Sequence, residues 1–127
     1  MKNLFQKIIF QVSDLITDKC SGCCVSILDE HGNQILYFTL GSPTPCSYDF
    51  SYKKALTAYN FRQNSDEIYE SLKDLGGQSL INGKFCFISG GVIATDNSQK
   101  HYYLGVSTDV PSIDKEIALE ISNLIHN

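Results

Sequence analysis

Both ends of the chain carry the same pattern, and it limits what can lie between them. From Asn3 to Asp18, Leu4, Phe5, Ile8, Ile9, Val12, Leu15 and Ile16 recur at helical spacing, and Gln6, Lys7 and Asp14 fall mostly on the opposite side. From Ser112 to His126, behind Pro111 and with Asp114 and Glu116 near its start, Ile113, Ile117, Ala118, Ile121, Leu124 and Ile125 share one face. Each pattern is an amphipathic helix with a single apolar stripe, and such a stripe needs a second layer to cover it.

The middle of the chain supplies that layer. Cys23 to Leu28 and Gln34 to Leu40 are extended runs rich in strand-favouring residues. The connector Asp29-Glu30-His31-Gly32-Asn33 suits a hairpin turn. Gly41-Ser42-Pro43-Thr44-Pro45 reads as a loop, because two prolines remove backbone donors. Tyr48 to Arg62 is helical in pattern, with Tyr52, Ala55, Leu56, Ala58 and Tyr59 on its inner side. Asn64-Ser65-Asp66-Glu67 then opens a short helix to about Leu75, with a capping residue, acids in the first turn and Glu67 three positions after Asn64. Three strands are expected beyond it, over Phe85 to Ile88, Gly91 to Thr95 and Tyr102 to Ser107, with Asp96 to Lys100 as a turn. The order helix, two strands, helices, three strands, helix defines an α+β domain whose sheet is mainly antiparallel, since hairpin connections dominate.

Size and charge narrow the function classes. The 127 residues amount to one domain, spanning 1–127. A formal net charge of −4 repels a phosphate backbone on average, which speaks against nucleic acid as a partner. No apolar run reaches the roughly 18–20 residues of a membrane-spanning helix. Met1 to Val12 is too interrupted by Asn3, Gln6, Lys7 and Gln11 for a signal peptide, so no membrane partner and a cytoplasmic location are expected. Cys20, Cys23, Cys24, Cys46 and Cys86 are too few for a disulfide framework. Cys20-x-x-Cys23 has no second pair to complete a zinc site and lies at a helix end rather than a helix start, so ordinary thiols are expected. His31, His101 and His126 are not paired in sequence with a nucleophile, and there is no phosphate-binding loop or dinucleotide fingerprint. No catalytic residue and no metal ligand is assigned.

Three segments stand out for a ligand. Lys53 to Phe61 offers a helix with small residues on one side and lysine, threonine and aromatic groups nearby, and Ser89 to Ile93 and Leu104 to Ser107 are glycine-containing strands that allow close backbone approach. Helix–sheet packing explains the same small residues equally well.

Taken together, these motifs resemble the GlcG/HbpS-like family of haem-binding and haem-degrading-type domains, which includes the C-terminal domain of PduO-type corrinoid proteins. The resemblance rests on Leu28-Asp29-x-x-Gly32, Lys54-Ala55-x-Thr57-Ala58-x-x-Phe61, Ser65 opening the next helix, Gly90-Gly91, Gly105-Val106-Ser107 and Ile113-Asp114-Lys115-Glu116-Ile117-Ala118. It implies a five-stranded, mainly antiparallel sheet flanked by N-terminal, central and C-terminal helices in profilin-like layers. It also implies a homo-oligomer and, in some members, a haem or corrinoid-related tetrapyrrole near the central helix. Carried over, Lys54, Thr57, Phe61, Gly90 and Gly91 would line the ligand site, with Lys54 meeting a propionate or other carboxylate. The chain departs from the pattern at Val92, where the family has a residue followed by proline, and at Thr108, where it has a second glycine. The resulting expectation is a small-ligand-binding accessory protein. The competing one is a structural or assembly oligomer that keeps the fold without a pocket, and a cysteine-dependent redox enzyme is a third class with no support in the thiol context.

Overall fold

The computed structural model describes residues 2–73 and 83–127. In chain order its elements are α1 (Lys2–Ile16), β1 (Gly22–Leu28), β2 (Gln34–Gly41), α2 (Pro45–Phe61), α3 (Ser65–Lys73), β3 (Gly91–Thr95), β4 (His101–Thr108) and α4 (Pro111–His126). The strands form one antiparallel sheet in the order β2-β1-β4-β3. The end of the expected short helix, beyond Lys73, lies outside the described residues. None of the described helices is long and apolar enough to cross a membrane.

Two hairpins build this sheet from the same turn. In each, an aspartate at the turn entry donates its backbone N–H to the carbonyl four residues on, Asp29 to Asn33 at 2.8 Å and Asp96 to Lys100 at 2.9 Å. Its Oδ1 accepts two backbone N–H groups, from His31 and Asn33 in the first turn and from Ser98 and Lys100 in the second. The fourth position of each turn lies in the left-handed region, at Gly32 (φ 82°) and Gln99 (φ 69°). The aspartate side chain thus supplies the acceptor that helix or ladder carbonyls would otherwise offer to these N–H groups.

The sheet separates two unlike layers. α1 and α4 cover one face, where Ile8, Val12, Ile117 and Ile121 meet Cys23, Val25, Ile27, Leu104 and Val106 in a fully apolar core. α2 covers the other face, chiefly over β4 and β1. Because β1 and β4 lie beneath helices on both sides, all of β1 and nearly all of β4 are buried, whereas the outer strand β2 alternates between exposed and half-buried residues.

The buried side of α2 consists of Ser47, Ser51, Lys54, Ala55, Thr57 and Ala58. Tyr52, expected on this side, is instead exposed. The cause is proximity: a Cβ on Gly105 would overlap the Ser51 carbonyl oxygen, so the helix backbone lies almost on β4 and leaves no room for an aromatic ring at the point of contact. α2 also begins at Pro45, inside the expected loop, because a proline in the first helical turn lacks only an N–H that would have no intrahelical partner there. It ends at Arg62, in the left-handed conformation at φ 57°.

Among the described residues the sheet has four strands, not the five expected. Phe85 to Ile88 is buried or half-buried for three of its four residues but irregular. The edge of β3 that a fifth strand would have to join is already occupied. Gly91 N–H donates to Ser65 Oγ at 2.9 Å and Ile93 N–H donates to Asn64 Oδ1 at 3.0 Å, so the start of α3 caps this edge with side chains. The apolar composition of Phe85 to Ile88 therefore serves burial without a ladder.

Candidate functional site

Lys54 lies in a polar knot at the centre of the molecule. The residue is 1% exposed, and Nζ donates to Asp114 Oδ2 at 2.7 Å and to the Val106 carbonyl at 2.9 Å. Asp114 Oδ1 accepts the Thr108 backbone N–H at 2.9 Å and the Thr108 hydroxyl at 2.7 Å. Burial pushes the Asp114 carboxyl above its ordinary value, opposed by Lys54 and then Thr108. The carboxylate that Lys54 meets is thus its own chain's, on the first turn of α4, rather than a ligand's. Gly90 and Gly91 pack against this knot. Gly90 has φ 123°, and a Cβ on it would crowd Val106 O, Lys54 Nζ and the Asp114 side chain. A Cβ on Gly91 would strike the Lys54 carbonyl and Ser65.

From the knot, the other expected residues reach outward to the segment that failed to become a strand. Thr57 Oγ1 accepts the Cys86 N–H at 2.9 Å and donates to the Lys53 carbonyl at 2.6 Å. Phe61 packs edge-to-face on Phe85 and Phe87, with ring centroids 5.2 and 5.6 Å away. Ser65 Oγ donates to the Ile88 carbonyl at 2.7 Å and receives Gly91 N–H. α2 and the Gly90-Gly91 turn therefore hold residues 85–91 in place from behind.

In front of that segment, facing α3, is a cleft of about 750 Å³. Tyr69, Phe85, Phe87 and Ile88 give it apolar walls, and Glu67 and Glu70 contribute carboxylates. Its size is within the usual range for small-molecule sites, about 300–1,000 Å³. The acids have partners: Glu70 pairs with Lys73 at 3.0 Å, Asp66 pairs with Lys115 of α4 at 2.6 Å, and Glu67 accepts the Asn64 N–H at 3.2 Å. Asp66 Oδ1 is buried at the cleft without a hydrogen-bond partner among the described residues.

None of Lys54, Thr57, Phe61, Gly90 and Gly91 is among the described residues lining the cleft. The sequence reading missed Tyr69, Phe85 and Phe87, which do line it, and Asp114 as the partner of Lys54. One signal was available for the cleft: Phe85 and Phe87 alternate with Cys86, and an alternating aromatic run beside a glycine pair can be a wall as well as a strand. For Asp114, a helix-start acid between Ile113 and Ile117 of the apolar stripe gave no indication of burial.

The remaining chemistry-bearing residues lie elsewhere. Cys23 is buried, and burial pushes its thiol up to about 12; the Cys20 and Cys24 thiols are also raised by burial, so a reactive thiolate is disfavoured at all three. No group of three or more metal-ligating side chains is present among the described residues. His31 is exposed in the first hairpin turn, and His101 and His126 both lie against Thr95. None of the described residues lining the cleft is a histidine.

A four-stranded antiparallel sheet with α2 on one face, α1 and α4 on the other, and a central-helix lysine locked to a C-terminal-helix aspartate defines a layered α+β domain with an aromatic cleft. The chain belongs to the family described as haem degrading protein HbpS-like, whose model matches residues 3–122. No curated protein matches it. Among solved structures it is similar to the Klebsiella pneumoniae protein ORFY, at 23% identity and a TM-score of 0.84, covering 98% of this chain and 89% of that one. A double mutant of Streptomyces reticuli HbpS is 19% identical with a TM-score of 0.81, covering 100% and 87% of the respective chains. A complex of PduOC with haem is 21% identical with a TM-score of 0.78, covering 98% and 93%. At these identities the likeness is one of fold.

Proposed function

We propose that the protein is a small-ligand-binding accessory module, that its ligand is haem or a related tetrapyrrole, and that the ligand sits in the cleft between α3 and residues 85–89. The observation that carries this reading is the cleft itself: an aromatic-walled space of about 750 Å³, braced from behind by Thr57, Phe61 and Ser65, in a chain of the HbpS-like family. A flat macrocycle suits walls of phenylalanine and tyrosine. The haem complex of a similarly folded protein supports the ligand class.

The residues present also fit an iron centre, with a particular choice of donor. Among the described residues the cleft offers Tyr69 and Cys86, both side-chain types that serve as haem ligands, and no histidine. Bound haem would supply the redox and ligand-binding chemistry of its iron; the chain would supply burial, orientation and a donor from Tyr69 or Cys86. Lys54 would not meet the carboxylates of the ligand, because Asp114 engages it. In this reading Lys54, Thr57, Phe61, Gly90 and Gly91 set the shape and rigidity of the site.

The test is a haemin titration followed by visible absorption, with free haemin and an unrelated acidic protein as controls. A saturable Soret shift at about one haem per chain, weakened by Phe87→Ala and altered in position by Tyr69→Phe or Cys86→Ser, is the expected result. A response that matches the controls removes haem as the ligand and leaves the assembly role as the better account of the fold.

A further inference from the structure

The aromatic cleft carries charge of one sign. The charged side chains among its described lining residues are Asp66, Glu67 and Glu70, and none of those lining residues is a lysine, arginine or histidine. The three acids are not equally neutralised. Asp66 is held by Lys115 of α4 at 2.6 Å. Glu70 meets Lys73 at 3.0 Å, but their side chains are 67% and 44% exposed, and water screens such a pair. Glu67 accepts a neutral donor, the Asn64 N–H at 3.2 Å, and makes no ion pair among the described residues.

The groups that could hold an anion are already engaged. A helix N-terminus attracts negative charge, and α3 begins at the cleft. Its first turn already carries Asp66 and Glu67, and Glu67 takes the N–H of Asn64 just ahead of it. Lys54 is locked to Asp114. Lys84 has its Nζ 5.6 Å from the centre of the Phe85 ring but is not among the residues lining the cleft.

We propose that the cleft selects its flat ligand by the charge of the edge that enters, with Glu67 and Glu70 as the specificity-determining side chains. A neutral or cationic edge is admitted between α3 and residues 85–89, and an anionic edge stays in solvent. This rests on the reading that the cleft takes a tetrapyrrole. A propionate drawn inside would give up water beside carboxylates and gain no cation in return, which disfavours its charged form. Haem therefore enters by its apolar edge with both propionates outside. A macrocycle whose carboxylates are esterified or amidated is the better-matched ligand class.

Visible-absorption titrations test this with haemin and with haemin dimethyl ester, the same ring without its carboxylate charges, in one water–dimethylsulfoxide mixture. The wild type is compared with Glu67→Gln and Glu70→Gln. Both changes keep the side-chain size, and a glutamine at position 67 can still accept the Asn64 N–H. The wild type is expected to bind the ester at least as tightly as haemin. Each variant should tighten haemin about two- to fivefold, the effect of removing one partly exposed charge, and leave the ester unchanged. The ester separates charge from shape, because an altered wall would move both ligands together. Weaker binding of the ester than of haemin in the wild type would overturn the proposal, as would haemin affinity that neither variant changes. So would a Lys84→Gln variant that weakens haemin and spares the ester, since a propionate would then be meeting that cation. If neither compound gives a saturable shift with the wild type, the tetrapyrrole reading fails and takes the proposal with it. Saturable shifts that ignore the glutamate changes reject the charge selection alone.

Discussion

Lys54 shows how a recognisable residue can acquire the wrong partner when read in one dimension. A lysine on a helix of small residues invites a ligand carboxylate. In three dimensions its tip lies against Asp114, sixty positions away, and both are almost completely buried. Removing one partner of a buried ion pair leaves an uncompensated charge and typically costs ~3–5 kcal/mol, while removing both is far milder. Lys54→Met is therefore expected to be strongly destabilising in urea denaturation. Lys54→Met combined with Asp114→Asn, which keeps an acceptor for the Thr108 N–H, should cost clearly less than the two single changes added together. Strict additivity would mean that the pair is not coupled. If the double variant folds and still binds haemin, Lys54 is not a ligand contact.

At the scale of elements, most boundaries followed from the sequence because local chemistry set them. The two aspartate turns are legible in Asp29 to Asn33 and Asp96 to Lys100, and the terminal helices in their stripes. The fifth strand is where local reasoning failed. Phe85 to Ile88 has a strand's composition, but a strand also needs a free edge, and Ser65 and Asn64 have taken it. Ser65 is the more consequential of the two, since its hydroxyl accepts Gly91 N–H and donates to Ile88 O at once. Ser65→Ala strands a buried donor and should cost ~1–3 kcal/mol. Native-state hydrogen exchange should show the Gly91 amide among those most accelerated, with the β1 amides little changed. Equal acceleration throughout the sheet would indicate that the cap does not act locally.

For the whole molecule, acid stability should be governed by the turns. Backbone N–H groups hold the carboxyls of Asp29, Asp96 and Asp109 below the ordinary value, Asn33, Lys100 and Ser21 being the respective leading donors. A carboxyl with a depressed folded value stabilises the protein above the unfolded value, near 3.8, and that contribution disappears as pH falls through the folded value. Asp114 has the opposite sign, since burial raises it and protonation above that range favours the folded state. The loss of stability on acidification should therefore be concentrated below about pH 4. Replacing Asp29 and Asp96 with asparagine should flatten that limb of the urea-midpoint curve and leave the limb between pH 5 and 7 nearly parallel to wild type. An unaltered acid limb would assign the acid sensitivity to other carboxylates.

The sequence by itself determined the parts that depend on near neighbours: helix stripes repeating every three to four residues, turns closed by an aspartate two to four residues away, and the motif combination that places the chain among HbpS-like proteins. Only the tertiary structure decided which side chains face one another across the sheet. It joined Lys54 to Asp114, turned Tyr52 outward because Gly105 draws α2 onto β4, and gave the β3 edge to Ser65. It also made a cleft wall of Phe85 and Phe87. Each outcome depends on distances between residues far apart in the chain, fixed by sheet register and helix approach, and periodicity within a single segment contains no information about them.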